Sequence, residues 1–198
     1  MWHADYKPPS LHRVKATKQK GAAAVEFAML AMLFFSLVFG VLEIARLVYL
    51  FNTLQEVTRR AAALAVNSPF DKDSQETVRK NALFADKNGN LVLGDPVTPA
   101  HVKLDYLSLS RDSAGVLTTP PVVSLPADPA TNRINCLVNP NGNNCIRFVR
   151  VRICQPNTTN DCAPVPYKML FSLIKFPDLN LPRSDTVVPA QTMGYTGG

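Results

Sequence analysis

The sequence predicts an α+β protein: a long N-terminal transmembrane helix continuing into a small strand-rich exported domain. Three observations predict it. From Phe27 to Leu42 sixteen consecutive residues carry no charge. The cations gather before that run: Lys7, Arg13, Lys15, Lys18 and Lys20 against Asp5 leave +4 of the formal +6 within the first twenty residues. All four cysteines, Cys136, Cys145, Cys154 and Cys162, fall in the last third, spaced C-x8-C-x8-C-x7-C. A chain of 198 residues accommodates one such helix and one modest domain. The expected divisions are a basic cytoplasmic leader (1–21), a transmembrane and extended helix (22–66) and an exported α+β domain (67–198).

The leader sets topology. Beyond it the chain is nearly neutral, so the basic balance does not indicate a nucleic-acid partner. Cations before the apolar run place the N-terminus in the cytoplasm and the C-terminus outside. Ala22 to Leu42 covers roughly 30 Å at about 1.5 Å per residue, one hydrocarbon core. The run is too long for the apolar part of a secretory signal, and "VFGVLEIAR" offers no small-x-small cleavage site. Glu26 alone interrupts the run from Ala22, where an ionised acid is costly.

The basic leader, Gly21, four small or apolar residues, Glu26 and an apolar helix together resemble a type IV prepilin signal. That resemblance implies a cut between Gly21 and Ala22, with Glu26 as the fifth mature residue. Ala22 departs from the phenylalanine usual at the first mature position of major pilins. The continuation, "GAAAVEFAML…GVLEIARLVYLFNTLQEVTRRAAALAV", resembles the TadE-like pseudopilins and minor pilins of the tight-adherence (Flp, type IVb) pilus system. In that family an E-x-x-R pair follows the membrane run, then an aromatic, then L-Q and an Ala/Arg-rich helix. Here Glu43, Arg46, Tyr49, Leu54, Gln55, Arg60 and Ala61 match. Residues 20–66 carry the likeness. "VPYKMLFSLI" is similar to a V-x-Y-x-F strand near the family's C-terminus. The resemblance implies a subunit of the bacterial inner membrane that primes, caps or docks a pilus. It also implies three partners: a prepilin peptidase, other pseudopilins and the pilus platform proteins. The alternative is an uncleaved bitopic anchor presenting an extracytoplasmic binding domain.

Physical reasoning describes the same segment independently. Glu43 and Arg46, three apart, share a helix face and can pair where the helix leaves the membrane. Tyr49 suits an interfacial position. Leu47, Leu50, Leu54, Val57, Ala61 and Leu64 follow 3-4-3-4-3 spacing, an apolar seam that packs either on the protein's own domain or on a neighbouring subunit. Glu56 and Arg60 are spaced to pair. "NSP" ends the helix near Val66, because Pro69 disfavours helix before it. Ala24, Ala28, Ser36 and Gly40 form a stripe of small residues that is either a docking face or chance.

In the exported region "DSQETVRKNALFAD" predicts a helix capped by Asp73 with Glu76 completing a capping box. Asn88-Gly89 predicts a hairpin turn. A calcium loop there fails, since Leu91 and Val97 stand where a glycine and a bidentate acid belong. "HVKLDYLSLS" and "IRFVRVRIC" alternate as strands. Val149, Val151 and Ile153 share one face, and the opposite parity of Ile146 and Phe148 suggests a bulge. Arg147, Arg150 and Arg152 either line a solvated face or bind an anion. Segments 118–144 and 155–166 read as loops, and "VVPAQTMGYTGG" as a last strand. The even cysteine count in a loop-rich segment predicts two disulfides in an oxidising compartment, preferably Cys136–Cys145 and Cys154–Cys162. No catalytic set, cofactor motif or metal-ligand spacing is visible; His101 is the only histidine beyond the leader. Asn157-Thr158-Thr159 is a glycosylation sequon without expected use in a bacterial protein.

Overall fold

The structure is a computed structural model, described here for residues 21–157, 162–171 and 179–195. Helix α1 spans Ala22–Ala65. Its residues up to Phe39 belong to one compact unit and Gly40–Gly198 form the other. In the first unit most apolar side chains of α1 stand exposed, Phe27 at 74% and Met32 at 75%. This is the pattern of a helix solvated by hydrocarbon rather than packed in a protein core. Only α1, among the described residues, is long and apolar enough to cross a membrane.

From Gly40 onward α1 belongs to the globular unit and obeys a different rule. Leu50, Leu54, Val57 and Ala61 are wholly buried, with Leu47 and Leu64 partly so. The seam therefore packs on the protein's own domain, and a neighbouring subunit is not what covers it. A fully buried leucine contributes about 1.5–3 kcal/mol. The helix stops at Ala65, where Ser68 Oγ and Asn67 Nδ2 bond the open carbonyls of Leu64 and Ala63. The expected Glu56–Arg60 pair is not among the ion pairs of the described residues; the Arg60 guanidinium lies 5.1 Å from the centre of the Phe84 ring.

The partner of α1 is a three-stranded antiparallel sheet, order β1-β4-β5: β1 Val102–Leu107, β4 Phe148–Ile153, β5 Asp185–Pro189. Alternation decides which face meets the helix. Val102, Leu104 and Tyr106 stand opposite Ile153, Val151 and Val149, and all six are buried in the shared core. Thr58 on α1 hydrogen-bonds Thr186 on β5 at 2.9 Å. The register runs unbroken from Val102–Ile153 to Leu107–Phe148, so no bulge lies in β4. The parity change at Ile146 arises because the strand begins only at Phe148. On the other face Arg150 and Arg152 meet the Asp105 carboxylate at 3.3 and 2.7 Å, so two of the three arginines proposed for an anion are paired internally.

The smaller elements bring further corrections. Helix α2 spans Lys72–Ala82 and is capped by Asp71, whose side chain accepts from Ser74 N–H. Asp73 lies inside the first turn, and Glu76 pairs with Lys80 at 2.6 Å instead of closing a capping box. Asn88-Gly89 does form a tight turn, with Gly89 at φ +81° donating to the Asp86 carbonyl. Strands β2 (Ser110–Arg111) and β3 (Leu117–Thr118) make a small hairpin. Within the expected loop 118–144 stands helix α3, Pro129–Val138, capped by Asp128. "VPYKMLFSLI" is not a regular strand in its described part. Pro166 makes one bridge to Asn180, flanked by Tyr167–Leu179 and Leu181–Val165 bonds, and the rest of the stretch lies outside the described residues. Thr158 and Thr159 of the sequon also lie outside them.

Candidate functional site

Two groups of predicted residues occupy separate places on α1. Gly21 immediately precedes the helix, and its carbonyl accepts the helical bond from Val25 N–H at 3.2 Å. A side chain added at Gly21 would meet no atom within 4 Å, and Ala22 and Glu26 are exposed on the first two turns. Ala22 and Glu26, four apart, share a face.

The second group is buried. Glu43 and Arg46 lie one turn apart, and their side chains are only 9% and 5% exposed. Arg46 Nη1 meets Glu43 Oε1 at 3.3 Å. Taking both charges out of water is costly unless further hydrogen bonds satisfy them. The globular unit supplies those from two distant segments. Arg46 Nε donates to the Leu93 carbonyl at 2.7 Å. Arg46 Nη1 donates to the Lys168 carbonyl at 2.7 Å and to Tyr167 Oη at 3.2 Å. The guanidinium also lies 5.1 Å from the centre of the Tyr167 ring, a cation–π distance. Tyr167 in turn donates a hydrogen bond to Glu43 Oε1, and Leu170 N–H approaches the same oxygen at 3.4 Å. Burial, reinforced by the bond to Glu43, pushes the Tyr167 phenol up to about 12. The phenol therefore stays a donor throughout the physiological range. Among the described residues Glu43 Oε2 is buried without a hydrogen-bond partner.

Sequence spacing placed Glu43 beside Arg46. Tyr167 was within reach through the "VPY" likeness, but its role as the bridge between the two charges was not. Nothing local marks Leu93 or Lys168, because each contributes only a backbone carbonyl across more than forty residues of chain. The cysteines form two bridges, Cys136–Cys145 and Cys154–Cys162, with Cα separations of 4.9 and 4.8 Å. The first joins α3 to the segment entering β4; the second folds back the chain leaving β4. Among the described residues no group of His, Cys, Asp and Glu side chains is arranged to hold a metal ion.

This arrangement binds and positions; it is a charged clasp between a helix and two loops. No curated protein and no solved structure matches the chain. Residues 21–63, the stretch of helix that carries Gly21, Glu26, Glu43 and Arg46, match the model of the family described as TadE-like protein, and the likeness is confined to that stretch.

Proposed function

We propose that the chain is a membrane-anchored pseudopilin, or minor-pilin-like subunit, that acts in assembling a tight-adherence (Flp-type) pilus. The observation that carries this reading is the TadE-like match over 21–63, falling on one apolar helix that begins directly after Gly21. In this reading residues 1–21 are a cytoplasmic leader and 22–66 the membrane anchor and its extension. Residues 67–198 form the domain beyond the bacterial inner membrane, where an oxidising compartment suits both disulfides. A prepilin peptidase cuts between Gly21 and Ala22. Other pseudopilins and the platform proteins are the partners, and the protein's work is assembly rather than catalysis.

Cleavage would leave an α-amine at Ala22 beside Glu26. In a bundle of such helices that cation meets the Glu26 carboxylate of a neighbour, fixing register in a medium where unpaired charge is costly. Mass spectrometry of the native N-terminus tests the reading, which expects mature protein beginning at Ala22. Gly21→Leu is expected to retain the leader, since a peptidase reaching the backbone there meets no obstruction in the wild type. An intact leader in wild-type cells with an active peptidase would favour an uncleaved anchor presenting its outer domain.

A further inference from the structure

The clasp around Arg46 fixes the height of two loops along α1. Leu42 ends the uncharged run, and Arg46 follows one turn later. The carbonyls held by Arg46 belong to Leu93 and Lys168, so both loops are tied to α1 at the level where it emerges from lipid. Both loops are apolar at the surface there. Val92 is 42% exposed, Leu93 58% and Leu170 57%. On α1 itself Val41, Leu42, Ile44 and Val48 are likewise exposed. Lys168 and Asp95, the charged residues nearest in sequence to Leu170 and Leu93, pair with each other at 2.7 Å on the exposed surface.

We propose that the loops around Leu93 and Leu170 form a collar that seats the outer domain in the lipid surface. Leu93 and Leu170 enter the boundary between headgroups and acyl chains. Continuity selects lipid as the occupant. These side chains are fastened to the turn of α1 that adjoins a bilayer-length apolar run. The clasp supplies the other requirement. A cation one turn beyond the apolar run is costly near hydrocarbon unless protein groups satisfy it, and Glu43, Tyr167 and two carbonyls do so. Lys168, with an apolar stem and an exposed ammonium, is suited to reach the phosphate layer beside the pair. The collar thereby limits tilt of the outer domain over the membrane.

This inference rests on the membrane-anchor reading, and its test separates the two. The chain has one tryptophan, Trp2, which is replaced by phenylalanine to give a silent background. Single tryptophans are then introduced as Phe35→Trp in the apolar run, Leu93→Trp and Leu170→Trp in the collar, and Leu137→Trp on α3. Exposed Leu137 is the aqueous control. Arg133 on the same helix stacks on Tyr195, and Met193 is bonded to Val66, so α3 lies near the end of α1. Val66 is roughly 30 Å along the helix from Arg46. Each full-length protein is reconstituted in phosphatidylcholine–phosphatidylglycerol vesicles without brominated lipid, with lipids brominated near the headgroup to probe the collar, and with lipids brominated deep in the acyl chain to probe Phe35→Trp. An interfacial depth of ~5–10 Å predicts that Leu93→Trp and Leu170→Trp lose roughly half their emission, while Leu137→Trp loses none. Quenching at Phe35→Trp with none at Leu93→Trp and Leu170→Trp overturns the collar and leaves the anchor standing. Blue-shifted but unquenched emission at the collar positions means protein covers them, and also overturns it. No quenching at Phe35→Trp defeats the anchor reading and the collar with it.

Discussion

Arg46 is where the cost of a single side chain is most sharply defined. Removing it leaves Glu43 buried and charged and strips the Leu93 and Lys168 carbonyls of their donor. Breaking a buried pair in this way costs about 3–5 kcal/mol, whereas replacing both charges by apolar groups of similar volume is close to neutral. Arg46→Leu should therefore lower the thermal midpoint of the detergent-solubilised protein markedly, and Glu43→Leu/Arg46→Leu should recover the part that comes from the uncompensated charge, the Leu93 and Lys168 carbonyls still lacking their donor. Equal loss in the single and double variants would mean the charges are not coupled. A second residue-scale effect is set by pH. Tyr106, 6% exposed, has its phenol pushed up to about 12 chiefly by burial, from an ordinary value of 10. A phenol harder to ionise in the folded state stabilises the fold fully below pH 10, and that contribution is lost as pH rises toward 12. The two-unit difference corresponds to something on the order of 2–3 kcal/mol. Tyr106→Phe should flatten the fall in stability between pH 10 and 12, measured by urea unfolding at stepped pH; an unchanged slope would place the alkaline sensitivity elsewhere.

At the scale of elements, α3 is the least self-sufficient piece. Its only buried residue is Asn132, whose Oδ1 accepts from Ile146 N–H at 2.9 Å, while Ile134, Leu137 and Val138 stand in solvent. Without an apolar stripe on the core, the helix depends on its Asp128 cap and on the Cys136–Cys145 bridge. Cys136→Ser/Cys145→Ser should cost about 2–4 kcal/mol and remove hydrogen-exchange protection from α3 while β1, β4 and β5 keep theirs. Protection retained in α3 would show that the bridge is dispensable to it. The same lack explains why α3 was read as loop. Helices announce themselves by an apolar stripe, and the signal actually present, Asp128 followed by Pro129 at the first helical turn, is easily lost in a Pro- and Asn-rich segment. Helix α1 was legible because its outer half must bury Leu50, Leu54 and Val57 at helical spacing, and β4 because Val149, Val151 and Ile153 must alternate. The Tyr167 and Leu93 arms of the clasp were not legible, since they join residues distant in sequence through one side chain and one backbone atom. Gly194 belongs to the same non-local class. It has φ +79°, and a Cβ there would stand 2.5 Å from the Pro69 ring, which has no flexible end to move aside.

For the whole molecule, one helix serves two solvents. Up to Leu37 most of its apolar side chains are exposed as lipid requires, and from Leu50 onward its buried seam is the spine of the globular domain's core. Folding of that domain uses Tyr106, Val149, Val151 and the seam, none of them near Glu26 in sequence. Glu26 adds nothing to this core and stands exposed on α1. In a lone subunit its carboxylate gains little, since an acid at the head of an apolar helix gives up water without a fixed partner from a second helix. In the proposed processed form assembly would change that balance, because the α-amine left by cleavage before Ala22 would pair with the Glu26 of an adjacent helix. Loss of one partner then leaves the other buried and uncompensated, roughly a 3–5 kcal/mol penalty per contact. Glu26→Ala should consequently insert in the membrane, form both disulfides and show a wild-type melting profile, yet fail to crosslink or co-purify with other pseudopilins. Glu26→Asp, which keeps the charge on a shorter arm, should recover part of the assembly. The informative measurement is crosslinking yield normalised to folded, processed protein. If Glu26→Ala is processed and assembles at the wild-type level, the glutamate is merely tolerated near the headgroups, and register must be set by the shape of the helices alone.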